Sequence, residues 1–165
     1  MGFSIKPQAP NVEKSHLRVY PSLGGAITLE TDLMRKQLIN FGSIYSTKGD
    51  GLVLGEPESG DLSGVRPIIV QKAGHYKMSA HVRVTGGKTD SGIYLSLRRI
   101  PVSGDTFSTY PDIGIVNNNG AVTIGIHDIT LFCNVGDKIY ARINGGTAEG
   151  SYGANTATFL YVQEL

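Results

Sequence analysis

The clearest hydrophobic pattern in the chain runs from His75 to Thr85. Tyr76, Met78, Ala80, Val82 and Val84 are apolar at every second position, and His75, Lys77, Ser79, His81, Arg83 and Thr85 fill the positions between. Successive strand side chains point to opposite faces, so this alternation predicts a β-strand with one dry and one wet face. Ile93, Leu95 and Leu97 repeat the period in the next strand, and Ile139, Ala141 and Ile143 in a later one. Val122, Ile124 and Ile126 are apolar at even positions, whereas Ile129, Leu131 and Cys133 are apolar at odd ones. A regular strand keeps one parity per face, so the switch predicts a bulge or break near His127-Asp128. The final strand, expected over 156–163, differs again. Ala157, Phe159 and Tyr161 are apolar on one face, and Leu160 and Val162 on the other. In an antiparallel protein such a strand needs cover on both sides. The chain's own core covers one face, and a neighbouring subunit is expected on the other.

Turn chemistry divides the rest. Asn119-Gly120 lies between Ile113-Gly114-Ile115 and Ile124-Gly125-Ile126. Asn-Gly favours a two-residue type I′ hairpin loop, which predicts Ile115 opposite Ile124, Gly114 opposite Gly125 and Ile113 opposite Ile126. The opposed glycines would leave a bare spot, either a close strand crossing or a shallow contact site. Residues 41–46 and 51–55 read as short strands around Gly49-Asp50-Gly51, and residues 56–66, with Pro57, Gly60 and Gly64, as a surface loop. Gly145-Gly146 to Gly153 reads as a second loop. One short helix is expected from Thr31 to Leu38, capped by Thr31 or Asp32. Pro7, Pro10 and Pro21 break any regular element in residues 1–24. Residues 1–40 are therefore read as an extended arm with one short helix, and 41–165 as a β domain. The arm's apolar points, Phe3, Ile5, Val12, Leu17, Val19 and Tyr20, are candidates for docking on a partner.

Composition narrows the function classes. The 165 residues suit one domain with a real core. A net charge of +1 carries no basic footprint for nucleic acid. No run of about 18 apolar residues predicts a membrane span, and the start lacks a signal-peptide apolar region, so synthesis in a reducing cytosol is expected. The single cysteine, Cys133, rules out an intrachain disulfide and alternates with Leu131 and Ile129, so it reads as a core residue. His16, His75, His81 and His127 show no metal-ligand spacing and read as solvated surface residues. His75 and His81 stand about 20 Å apart along one strand, too far to share a metal. Asp50, Asp61, Asp90, Asp105 and Asp112 match no recognised calcium loop. No Gly-x-Ser-x-Gly elbow and no phosphate-binding glycine loop occurs. No catalytic residue, cofactor or metal is expected, and an enzyme is the least favoured class. Tyr94 and Tyr140 stand opposite the core positions of their strands, as interface anchors would.

The order of landmarks carries a resemblance. A hydrophobic run, Val65-Arg66-Pro67-Ile68-Ile69-Val70, precedes Gly74-His75-Tyr76, which opens the long alternating strand. Val135-Gly136-Asp137-Lys138-Ile139 and the aromatic C-terminal strand with Phe159-Leu160-Tyr161-Val162 follow. This order, over about residues 65–165, resembles the tumour-necrosis-factor and complement-head type of jelly roll. In that family the Gly-Asp sits in a turn before the penultimate strand, and the Phe of the last strand packs near a threefold axis. The Phe-Ser/Thr-Gly-Phe-Leu ending common there is replaced here, without its glycine. The resemblance implies a two-sheet antiparallel sandwich assembled as a compact homotrimer. Phe159, Tyr161, Ala157, Tyr140 and Tyr94 are the expected interface residues. Short members without collagen or a membrane anchor are similar to phage and viral particle proteins. The chain has no coiled-coil heptads and no repetitive fibre shaft, so the expected function is a virion structural protein that decorates or cements a capsid. Its arm would dock on a capsid or other virion protein. The alternative is the receptor-binding head of a phage tail or baseplate, with a cell-surface saccharide as partner. A secreted ligand or lectin is a third class.

Overall fold

The computed structural model describes residues 13–27, 37–59, 64–88, 93–103, 108–109, 113–115, 122–144, 149–152 and 157–165. Among these residues the regular structure is entirely β, in two antiparallel sheets. The first sheet holds β1 (His16–Tyr20), β2 (Gly25–Ile27), β4 (Ser43–Lys48), β7 (Gly74–Lys88), β11 (Val122–Cys133), β13 (Glu149–Tyr152) and β14 (Phe159–Glu164). Its order is β2-β13-β7-β14-β1-β4, with β11 also paired to β7. The second holds β3 (Gln37–Leu38), β5 (Leu52–Leu54), β6 (Ile68–Val70), β8 (Ile93–Ile100), β9 (Ser108–Thr109), β10 (Ile113–Ile115) and β12 (Lys138–Asn144). It runs β10-β8-β12-β6-β5, with β3 paired to β12 and β9 to β8.

The long strand read from its alternation is the spine of the first sheet. Tyr76, Met78, Ala80, Val82 and Val84 are all buried, on the face that meets the second sheet. Their cross-strand partners extend the core in rows. Leu17 of β1 faces Val162 of β14, which faces Met78, which faces Ile129 of β11. One step along, Val19, Leu160, Ala80 and Ile126 make the next row. Leu95, Leu97, Ile139, Ala141 and Ile143 close the core from the second sheet. Burying one such side chain is worth about 1.5–3 kcal/mol, so two rows of aliphatic residues fix the register of four strands.

The bulge expected at His127-Asp128 is present. Ile126 pairs with Ala80 and Ile129 with Met78, so two residues of β11 stand opposite Ser79 alone. Asp128 adopts φ of 60°, and its amide donates to Ser79 Oγ at 3.2 Å. The extra residue carries the apolar set from even to odd numbers while keeping it on the core face. Cys133 ends that set, buried in the core.

Four expectations are corrected. Ile113–Ile115 pairs with β8, and Ile124 pairs with Val82 of β7, so the predicted Ile115–Ile124 pairing does not occur; the two segments belong to different sheets. Asn119-Gly120 itself lies outside the described residues. His16–Tyr20, assigned to the arm, is an interior strand between β14 and β4, and Leu17 and Val19 are fully buried. Leu17 is thus core rather than a docking point, and no boundary at 41 separates these residues from the β domain. Pairing on both edges explains why five residues without a long apolar run are ordered as a strand. Gln37–Leu38, expected to end a helix, pairs with β12, and the rest of that stretch lies outside the described residues. Glu149–Tyr152, expected as loop, forms β13 between β2 and β7.

The turn before β12 is built around a buried carboxylate. Asp137 Oδ2 accepts from the Asn134 amide at 3.0 Å, and Oδ1 accepts from the Val102 amide at 3.2 Å. Gly136 supplies φ of 86° beside it, a conformation that side-chain-bearing residues resist.

Candidate functional site

The outer face of the first sheet collects the side chains that the core rejects. Odd-numbered residues of β7 point there, as do Phe159 and Tyr161 of β14 and the even-numbered residues of β1. These residues form a ladder of rings across five strands. The Arg18 guanidinium lies 4.9 Å from the centre of the Tyr45 ring and 4.0 Å from that of Phe159. His81 stacks on the other neighbour of this series, with its ring 4.6 Å from Phe159 at an interplanar angle of 13°. His127 follows edge-on, 4.4 Å from His81 at 80°. Tyr45, Arg18, Phe159, His81 and His127 thus connect β4, β1, β14, β7 and β11 in order. A cation over an aromatic face is attracted by the ring quadrupole, which favours Arg18 between these two rings.

A second pair stands beside this ladder, with His16 tilted against Tyr161 at 6.0 Å. Towards the other end of the face, His75 meets Phe132 edge-on at 5.3 Å. All four histidines of the chain therefore touch aromatic rings on one face. They are surface residues as expected, but organised rather than scattered.

The electrostatics follow from partial burial. Desolvation lowers the pKa of His81 below the ordinary histidine value, and the neighbouring His127 and Arg18 lower it further. At the end of β14, Glu164 accepts from Lys72 Nζ at 2.5 Å and from the Ser15 amide at 3.2 Å, and the Lys72 hydrogen bond leads the effects that hold its carboxyl below the usual carboxylate value. Lys77 pairs with Asp128 at 2.9 Å beside the bulge. Away from this face, burial pushes the Cys133 thiol up to about 11, so it is a poor nucleophile at neutral pH.

The expected interface residues separate on inspection. Phe159 and Tyr161 lie half-buried on the outer face of the first sheet, and Ala157 lies in the turn before β14. Tyr140 does not belong with them. It sits on the second sheet, 1% exposed, and its hydroxyl donates to Glu58 Oε1 at 3.2 Å from a loop of the same chain. Burial pushes its phenol well above the ordinary value, with Glu58 adding to the effect. The chain covers Tyr140 itself, so it is no surface anchor. Tyr94 lies in β8 opposite Gly114 and Asn144, and its side chain is outside the described residues. Phe3, Ile5 and Val12 are outside them too, while Tyr20 is half-buried at the end of β1.

The approach of His81 to His127 is not legible in sequence spacing. The two are 46 positions apart, and only the β11–β7 register brings them together. The parity break at His127-Asp128 was the available signal, since a bulge re-aims a side chain.

No family model and no curated protein matches the chain. Solved structures do match its fold. Murine APRIL at pH 5.0 superposes with a TM-score of 0.67 at 14% identity, covering 92% of this chain and 99% of that one. Murine APRIL at pH 8.0 gives 0.65 at 16% identity over the same shares. Eiger TNF from S. frugiperda gives 0.61 at 11% identity, over 92% and 91% of the two chains. Identity this low speaks for fold alone, and the fold of this chain is the TNF-like jelly roll.

Proposed function

We propose that the protein is a non-enzymatic structural module that acts as a homotrimer, with the outer face of the first sheet packed against its copies. The observation that carries this reading is the ring ladder. Phe159 and Tyr161 are only half-covered by their own chain, at the centre of a sheet whose neighbouring positions hold Arg18, Tyr45 and His81. Half-wet aromatic and arginine side chains at the middle of a face are the composition of a protein interface core.

In our reading the trimer belongs to a virus particle, made in the host cytoplasm, and serves as a capsid decoration or cement protein. The near-neutral charge and the resemblance to particle proteins support this role. With β1 part of the core, the attachment segment reduces to residues before it, where Phe3, Ile5 and Val12 supply the apolar contacts.

Light scattering of the purified protein tests the assembly. The expected mass is three times 17.6 kDa. Phe159→Lys should give a folded monomer, because a second cation beside Arg18, buried unpaired in the assembly, costs on the order of 3–5 kcal/mol per interface. A wild-type monomer at micromolar concentration overturns the reading. Removing residues 1–12 should leave the trimer intact and abolish rebinding to particles stripped of the protein; full rebinding overturns the attachment role.

A further inference from the structure

We propose that His81 and His127 form a two-imidazole site for a borderline divalent transition metal, such as Zn²⁺ or Cu²⁺. His81 Nε2 and His127 Nδ1 lie 3.3 Å apart. A zinc ion takes imidazole nitrogens at about 2.0–2.1 Å, so two ligands on one tetrahedron stand about 3.3–3.4 Å from each other. The pair already has the spacing of one tetrahedral edge. Imidazole is also the ligand type that suits zinc and copper.

Two features of the backbone build this geometry. The bulge places both His127 and Asp128 opposite Ser79, turning His127 back along the outer face. Gly125 then stands opposite His81 and leaves the space between the rings open. A Cβ at Gly125 would lie 2.9 Å from His127 Nε2 and 3.2 Å from His81 Nε2, so the imidazoles would have to shift from their present positions. The glycine thus admits two imidazoles above a strand where any other residue would push one aside. His127 is exposed, so the remaining coordination positions are open to water or to a group from another molecule.

The surroundings set which ion fits. The stack on Phe159 fixes the plane of the His81 ring. Arg18, on the same phenyl ring, opposes any added positive charge, so retention of an ion rests on the two imidazole bonds, which suit zinc and copper. Asp128 is engaged by Lys77 and is not offered to the site. No group of three or more metal-ligating side chains occurs among the described residues, so the chelate consists of the two imidazoles alone. Each neutral ring can carry its proton on the nitrogen away from the ion.

Both ligands come from one chain; where the proposed trimer covers this face, a neighbouring copy or enclosed water completes the coordination. Titration of the full chain with Cu²⁺ at pH 7.5, read by electron paramagnetic resonance, should show one ion per chain with two nitrogen ligands. Zinc should compete for it. His127→Gln should lose the signal, as should His81→Gln. Gly125→Ala should lose it while circular dichroism shows an intact fold, because its methyl group displaces the rings. His75→Gln, altering the histidine that meets Phe132, should keep it. If the wild type takes up no more ion than His127→Gln, the contact is a hydrogen bond only and the proposal is wrong. Equal loss in His75→Gln would likewise overturn it, since uptake would then be a general property of surface histidines.

Discussion

Phe159 shows how one side chain serves two environments. Its backbone lies in the middle of the first sheet, while its ring leaves the core and is clasped between the Arg18 guanidinium and the His81 imidazole. That clasp makes the face sensitive to protonation. His81 has a lowered pKa in the folded chain, from an ordinary value of 6.5. The unfolded chain therefore takes up this proton first as the pH falls. The contribution of His81 to stability is full above pH 6.5 and is lost on acidification below it. The melting temperature should drop between pH 7.5 and pH 5.5, and His81→Gln should flatten that dependence; an unchanged slope would show that other groups set it. Cys133 gives a second residue-scale outcome. Buried, with its thiol pushed up to about 11, it should resist iodoacetamide in the native protein at pH 8 and react once the protein is unfolded in guanidinium chloride. Rapid labelling of the native protein would contradict its place in the core.

At the scale of elements, the turn Asn134–Asp137 shows what a single backbone conformation is worth. A Cβ at Gly136 would lie 2.5 Å from Val102 Cγ2, but Val102 is 67% exposed and can move aside. The cost of substitution lies instead in φ of 86°. Gly136→Val should therefore destabilise the protein by about 1–3 kcal/mol. For a chain of this size that is a fall of roughly 2–4 °C in melting temperature per kcal/mol. The Gly-Asp pair was readable as a turn because its requirements are local. The strand of Tyr76 to Val84 was readable for the same reason, since alternation reports one strand's own two faces. Pairing is not local. The Asn-Gly signal and the matching isoleucines agreed on a hairpin, yet β10 pairs with β8 and β11 with β7. Two apolar strands of the same period fit several partners equally well, and the choice is made by sheet-to-sheet packing across the core. The same misassignment hid the His81–His127 contact, which exists only in the β11–β7 register. The bulge beneath that contact was visible in the parity of Ile126 and Ile129, because an inserted residue leaves its mark on a single strand.

At the scale of the whole molecule, the decisive strand is the one composition disguised. Between Pro10 and Pro21, His16–Tyr20 alternates only Leu17 and Val19 as apolar positions before the prolines and charges resume, which reads as an irregular arm. Its true partners are 23 and more positions away. Val19 pairs with Leu160 on one side and with Ile44 on the other, and the Ser15 carbonyl accepts from the Glu164 amide at 2.8 Å. Ser15 Oγ also accepts from the Gly51 amide at 2.9 Å, tying the start of β1 to the turn between β4 and β5. Removing β1 would strip both hydrogen-bonded edges from β14 and β4 that now face it, and uncover the core row of Val162 and Leu160. A chain starting at Phe41 should therefore show no cooperative unfolding transition by circular dichroism. Within the full chain, Leu17→Ala should cost about 2–5 kcal/mol, as for a fully buried leucine that leaves a cavity. Leu23→Ala, at a position 78% exposed, should change stability by no more than about 0.5 kcal/mol. The contrast between two leucines six positions apart separates the alternatives. Equal, small effects would return residues 16–20 to an arm outside the core, and a Phe41 chain that folds with the wild-type melting temperature would do the same.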